Sequence, residues 1–227
     1  MSCCPATLLV IAKAPIAGFA KTRLTPPLTP RAAATVAAAA LLDTLDAVLR
    51  SAVARRVVAF TGELAAAECS DELSRVLSRF EVIPQRGDGF GARLANAHAD
   101  AARFGLPVFQ IGMDTPQIGP DVLTGAAREL VAGDSALLGP AEDGGWWGLG
   151  LPSPQPARVL QHVPMSTDQT GELTRKALQQ CGYRVNSLSL FSDVDTFADA
   201  QRVAASASHG RFAAAIRRAR ERGLVPL

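Results

Sequence analysis

Apolar residues follow two alternating patterns along the chain: short runs rich in Val, Ile and Leu, and longer stretches in which apolar positions recur every three or four residues. The first pattern suits strands buried on both faces and the second suits amphipathic helices, so their alternation predicts a βαβ protein. Residues 7–12, 56–61, 81–84, 107–111, 136–138, 146–151 and 184–190 read as strands. Residues 30–49, 71–79, 91–104, 120–132, 170–180, 196–205 and 211–220 read as helices. Thr29 and Pro30 supply an N-cap and a first-turn proline for the alanine-rich first helix. The proline-spaced stretch 152–156 reads as a loop within one sheet. The expectation is a single α/β domain over 1–227, with a mostly parallel central sheet flanked by helices.

Composition narrows the class. With 48% hydrophobic and 19% charged residues, the chain resembles an ordinary globular protein. A formal net charge of +2, without a broad basic tract, argues against nucleic acid as the main partner. Residues 1–11 lack a cationic start and a long apolar run, and Lys13 interrupts the run before it could span a bilayer. A cytoplasmic protein with no membrane partner is therefore expected. Cys3 and Cys4 are adjacent while Cys69 and Cys181 stand alone, which fits neither a zinc spacing nor a disulfide framework. His98, His162 and His209 read as core or surface histidines, and Arg211, Arg217, Arg218, Arg220 and Arg222 as a solvated helix face.

Ligands of open α/β sheets sit beyond the carboxyl ends of the strands, and five such segments carry chemistry. The first strand empties into a loop in which Lys13, Ala14, Pro15, Gly18, Lys21 and Arg23 combine backbone freedom with three cations, a composition suited to phosphate. Gly87, Gly89 and Gly91, followed by Arg93, lead into a helix and offer backbone N–H groups to a phosphate or a base. Asp114 follows the strand expected to be central; it suits a divalent cation, with a helix cap as the alternative. Asp143, Gly144 and Gly145 form a tight turn before Trp146 and Trp147. Adjacent tryptophans on a strand face opposite ways, so one can pack in the core while the other offers a platform for a sugar or base. Asp143 is the residue of this turn expected to carry chemistry. Asp193 and Asp195 lie one residue apart and can reach the same cation, unless Asp195 caps the next helix.

Lys13-Ala14-Pro15 through Gly18 to Lys21-Thr22-Arg23-Leu24, then Gly112-Met113-Asp114-Thr115-Pro116, then Leu138-Gly139-Pro140 through Asp143-Gly144-Gly145, together resemble a known bacterial family. These are the GT-A-like nucleotide-diphospho-sugar transferases of a domain of unknown function, associated with radical-SAM or selenium-related genes. The resemblance covers nearly the whole chain. The Lys-Thr-Arg-Leu loop and the closing Asp193-Val194-Asp195-Thr196 are also similar to those of phospholactate guanylyltransferases. Two departures are the absence of a Leu-Ala-Gly-Gly pattern in the opening loop and Trp146-Trp147 where Tyr is more usual.

The resemblance implies that Lys13, Lys21 and Arg23 lie over the nucleotide phosphates and that Asp114 and Asp195 hold Mg²⁺ or Mn²⁺. Position alone adds Asp143 to Lys21, Arg23 and Asp114 as the expected catalytic set, and Asp143, Gly144, Gly145 and Trp146 are expected to form the acceptor or sugar pocket. The implied activity is glycosyl transfer from a nucleotide-activated sugar to a small-molecule acceptor. The alternatives are a nucleotidyltransferase joining a nucleoside triphosphate to a phosphorylated or carboxylated molecule, and an inactive nucleotide-binding regulator. Homodimerisation is left open.

Overall fold

The computed structural model describes residues 3–207 and 209–221. A seven-stranded sheet forms its centre, built from β1 (Cys4–Lys13), β2 (Val53–Thr61), β3 (Glu81–Pro84), β4 (Val108–Ile111), β5 (Ala136–Pro140), β6 (Trp146–Leu151) and β7 (Val185–Ser187). The strand order is β3-β2-β1-β4-β6-β5-β7. Every neighbouring pair is parallel except those of β6, which runs against both β4 and β5. The helices are α1 (Pro30–Arg50), α2 (Ser70–Leu77), α3 (Phe90–Ala101), α4 (Pro120–Ala132), α5 (Thr170–Gln180), α6 (Phe197–Ser206) and α7 (Arg211–Glu221).

β1 is apolar from Leu8 to Ala12 because it is buried there on both faces. Leu8, Val10 and Ala12 pack into a layer with Leu41, Leu45 and Phe109, while Leu9 and Ile11 enter the opposite layer with Leu94 and Leu149. α1 is long and apolar enough to cross a membrane, yet most of it is buried in the protein interior. Its alanines allow close approach, and its outer stripe packs Ala33 and Val36 against Phe197, Phe212 and Ile216 of α6 and α7. Thr29 caps α1 as expected, its Oγ1 accepting from the Ala32 N–H at 3.2 Å.

Several boundaries differ from the sequence reading for local reasons. The last strand stops at Ser187 instead of residue 190, since the Ser189 carbonyl accepts from the Trp147 indole at 2.9 Å and Phe191 N–H turns to the Pro140 carbonyl. The loop expected over 152–156 gives way at Gln155 to a 3₁₀ helix, Gln155–His162, which packs on α3. The helix expected over 91–104 ends at Ala101 and closes with a 3₁₀ turn, Ala102–Phe104. Arg211 is no solvated side chain: it pairs with Asp46 at 2.5 Å and Glu72 at 2.9 Å, while Asp43 accepts from the Arg211 and Phe212 N–H groups and caps α7. Arg222 lies outside the described residues. All four cysteines are free, and only Cys4 is buried.

Candidate functional site

A cleft of about 510 Å³ opens where β1, β4 and the β5–β6 turn end together. Parallel β1 and β4 deliver Lys13 and Asp114 to this edge, and the reversed direction of β6 brings the tip of its hairpin to the same place. Backbone links then add the late segment: Val194 N–H donates to the Asp114 carbonyl at 3.0 Å, and Glu142 N–H to the Phe191 carbonyl at 3.1 Å.

Within the cleft, Lys21 occupies the left-handed region at φ 51, and its ammonium reaches Asp114 Oδ2 at 2.9 Å and Asp195 Oδ1 at 3.3 Å. Arg23 Nη1 donates to Asp195 Oδ2 at 3.0 Å. Burial disfavours the Lys21 charge, but the two carboxylates outweigh it and hold its pKa above the ordinary value. Burial likewise opposes ionisation of Asp114, and Lys21 reverses the balance, so the Asp114 carboxyl lies below its usual range. Lys13 is shifted down by burial and by the Lys21 charge, with Asp114 offsetting part of the effect; its ammonium lies 5.3 Å over the Phe19 ring.

Beside this ion-paired pair stands a second group. Carboxylate oxygens of Asp143, Asp193 and Asp195 lie within 4.8 Å of one another. Burial and then the charges of Asp143, Asp195 and Asp114 push the Asp193 carboxyl up to about 7. Three converging hard oxygen donors, crowded enough to raise the pKa of one of them, fit Mg²⁺ or Mn²⁺. Neither strand-end carboxylate is consumed by a helix. α6 is capped by Thr196 with Asp199 in a reciprocal capping box, and the N-cap of α4 is Gly119.

Of the residues singled out in the sequence, Lys13, Lys21, Arg23, Asp114, Asp143, Gly145, Trp146 and Asp195 line the cleft. Ala14, Pro15 and Gly18 do not: Ala14 is buried against Gly62, and the Pro15 carbonyl accepts from Glu68 N–H. Gly87, Gly89, Gly91 and Arg93 also lie off the lining, where Phe90 and Leu94 stand instead. Gly91 answers a packing demand, since a Cβ there would come within 2.1 Å of the Leu160 carbonyl oxygen. Gly144 serves similarly, its missing side chain leaving room for the Asp168 backbone. The tryptophans differ in burial: Trp147 packs edge-on to Phe109 and Phe191, while Trp146 is half-buried, and both border the cleft.

The sequence reading passed over Met165, Ser166, Thr167 and Asp168, which form another wall of the cleft. Their only sequence signal is a polar Ser-Thr-Asp-Gln-Thr-Gly run without periodicity. It also passed over Gln110, wholly buried at the cleft floor beside His98.

An open sheet of this strand order, with its cleft at the switch between parallel and reversed strands, is the nucleotide-diphospho-sugar transferase fold. The structure superposes on 97% of this chain and 96% of a protein from Desulfovibrio desulfuricans G20 described as a nucleotide-diphospho-sugar transferase, at 22% identity and a TM-score of 0.83. CMP:2-keto-3-deoxy-manno-octonic acid synthetase, solved with CTP, matches at 12% identity and a TM-score of 0.55, covering 90% of this chain and 98% of that one. Rv0371C of Mycobacterium tuberculosis H37Rv, solved with manganese, matches at 18% identity and a TM-score of 0.50, covering 88% and 97%. At these identities the likeness is one of fold. The sequence itself supplies the family: DUF2064, described as an uncharacterized protein conserved in bacteria, matches residues 44–167, over half of the chain, and the chain belongs to it. No curated protein matches the chain in sequence.

Proposed function

We propose that this protein is a metal-dependent transferase that binds a nucleotide-activated sugar in the cleft and passes the glycosyl group to a small acceptor. The observation that carries the reading is the adjacency of the Asp143, Asp193 and Asp195 carboxylates to Lys13, Lys21 and Arg23 in one cleft. Such a site combines oxygen donors for a divalent ion with cations for a diphosphate. Asp193 and Asp195 would hold Mg²⁺ or Mn²⁺, which supplies neutralisation of the diphosphate charge. Lys13, Lys21 and Arg23 bind the same phosphates, and Asp114 orients Lys21. In transfer, the acceptor hydroxyl oxygen bonds to the anomeric carbon as the bond to the diphosphate breaks. The nucleoside diphosphate leaves with the electron pair, and the hydroxyl proton passes to Asp143, whose Oδ1 is steadied by the Gly145 N–H at 2.8 Å.

Nucleotidyl transfer is the second reading, favoured by the likeness to a synthetase solved with CTP. Calorimetry with a panel of sugar nucleotides and nucleoside triphosphates, with and without Mn²⁺, tests both. Mn²⁺-dependent binding that Asp195→Asn abolishes supports the site, and unchanged affinity in that variant overturns it. Release of a nucleoside diphosphate identifies glycosyl transfer, whereas pyrophosphate identifies nucleotidyl transfer.

A further inference from the structure

The cleft is electrically lopsided. Its lining cations, Lys13, Lys21 and Arg23, all come from β1 and the loop that follows it. Across from them the lining consists of Asp143, Gly145, Trp146, Met165, Ser166, Thr167, Asp168 and Thr170, without a lysine, arginine or histidine. The nearby cations of α5 are engaged elsewhere: Arg175 donates to the Val185 carbonyl and Ser187 Oγ, and Lys176 pairs with Glu172.

This far wall is held in shape before any ligand arrives. Buried Thr170 accepts from the Thr167 N–H at 3.1 Å and donates to the Pro164 carbonyl at 2.9 Å. Gly171 N–H donates to the Gly144 carbonyl at 2.8 Å, which clamps the strip onto the Asp-Gly-Gly turn. Ser166 sits at φ 60, a conformation a serine adopts at some cost and keeps only when its surroundings impose it. While the backbone of the strip is tied down, the Ser166 and Asp168 side chains make no hydrogen bond or ion pair among the described residues. Two further buried groups on the lining lack partners, the Thr115 hydroxyl and the Nε1–H of Trp146, whereas the buried Gln110 amide faces His98. Buried polar atoms are rarely left unpaired without a ligand or water to receive them.

We propose that the far wall is the acceptor subsite and that it takes a hydroxyl-bearing, non-anionic molecule, a polyol or amino-polyol, in preference to a phosphorylated or carboxylated one. The proposal rests on the glycosyl-transfer reading above and adds the acceptor's chemical class. Recognition of a phosphate or carboxylate calls for a cationic fork or ammonium, and this wall has neither. It offers an unneutralised carboxylate at Asp168, hydroxyls at Ser166 and Thr167, and a neutral indole N–H at Trp146. Hydroxyl or ammonium donors satisfy such a surface, whereas a second anion would meet the Asp168 carboxylate with no cation on that wall to offset it.

The test uses the full chain with Mn²⁺ and a sugar nucleotide that binds in calorimetry. Acceptors of three kinds are compared: polyols and free hexoses, amino sugars, and glycerol phosphate with lactate. Product is expected with the first two kinds. Asp168→Asn and Asp168→Lys should lower acceptor kcat/KM by about tenfold or more while donor affinity stays within about twofold. Asp168 is exposed, so both variants should keep the parent melting temperature. Product confined to glycerol phosphate or lactate overturns the proposal, as does donor binding without transfer to any polyol or amino sugar, or an acceptor KM indifferent to both variants. Loss of Mn²⁺-dependent donor binding itself would overturn the parent reading, and this inference with it.

Discussion

Lys21 donates to Asp114 across 2.9 Å although 93 positions separate them in the chain, and the same ammonium reaches Asp195, 174 positions away. One ammonium therefore bridges two carboxylates from different parts of the chain, and Arg23 shares Asp195 with it.

Replacing that cation leaves two partly buried like charges facing each other. Lys21→Met should cost about 1–3 kcal/mol of stability, less than a fully buried pair because Asp114 and Asp195 keep 35% and 28% side-chain exposure. Mn²⁺ should restore part of the loss, so its stabilising shift in melting temperature should be larger in Lys21→Met than in the parent. An equal shift in the two proteins would count against the carboxylates sharing a cation site.

His98 predicts a pH dependence. Its ring is fully buried on α3, and burial pushes its pKa down to about 3, with the neighbouring Gln110 amide opposing the shift. In the unfolded chain a histidine titrates near 6.5, so between those values the unfolded state binds the extra proton. The stabilisation is therefore fully present above about pH 6.5 and declines as pH falls towards 3, by at most about 1.4 kcal/mol per unit from this group. Urea unfolding at pH 7 and pH 5 should show the decline, and His98→Gln should remove much of the difference.

Gly91→Ala separates packing from ligand binding. The added methyl would meet the Leu160 carbonyl oxygen at 2.1 Å, so α3 and the 3₁₀ helix Gln155–His162 must move apart. A loss of about 1–3 kcal/mol is expected in urea unfolding. Calorimetry on the folded variant should leave Mn²⁺-nucleotide affinity nearly as it was, and a loss of affinity at full stability would return Gly91 to the phosphate site.

The paired tryptophans should part company on mutation. Trp147 is 3% exposed, bonded to the Ser189 carbonyl and packed edge-on to two phenylalanines, so Trp147→Ala should cost about 3–5 kcal/mol. Trp146→Phe keeps the ring and loses the indole N–H. Its melting temperature should stay near the parent value while acceptor KM rises.

The fold was legible because burial on both faces leaves residues 8–12 of β1 an unbroken apolar run and keeps β4 and β5 mostly apolar, and because α1 carries its cap and first-turn proline in sequence. Lys21, Asp114 and Asp195 could be singled out because charge at the end of a buried strand has little to do with packing. The glycines misled for a physical reason: a missing side chain serves close packing as well as ligand approach, and only the partner across space, Leu160 for Gly91 or Asp168 for Gly144, tells which. The polar strip 165–168 was missed because its place in the cleft depends on hydrogen bonds from Thr170 and on the Gly144–Gly171 contact, which leave no periodic trace. Thr196 could have been preferred to Asp195 as a cap from its spacing to Asp199 alone.

The reversed direction of β6 has a consequence for how such a molecule can diversify. A parallel strand in its place would need a long crossover to return to the same edge. A hairpin reaches it with residues 141–145, and the bond from Glu142 N–H to the Phe191 carbonyl ties that tip to the segment carrying Asp193 and Asp195. Exchanging that tip would therefore alter the Asp143, Asp193 and Asp195 cluster together with the far wall, so the two halves of the cleft diversify as one unit.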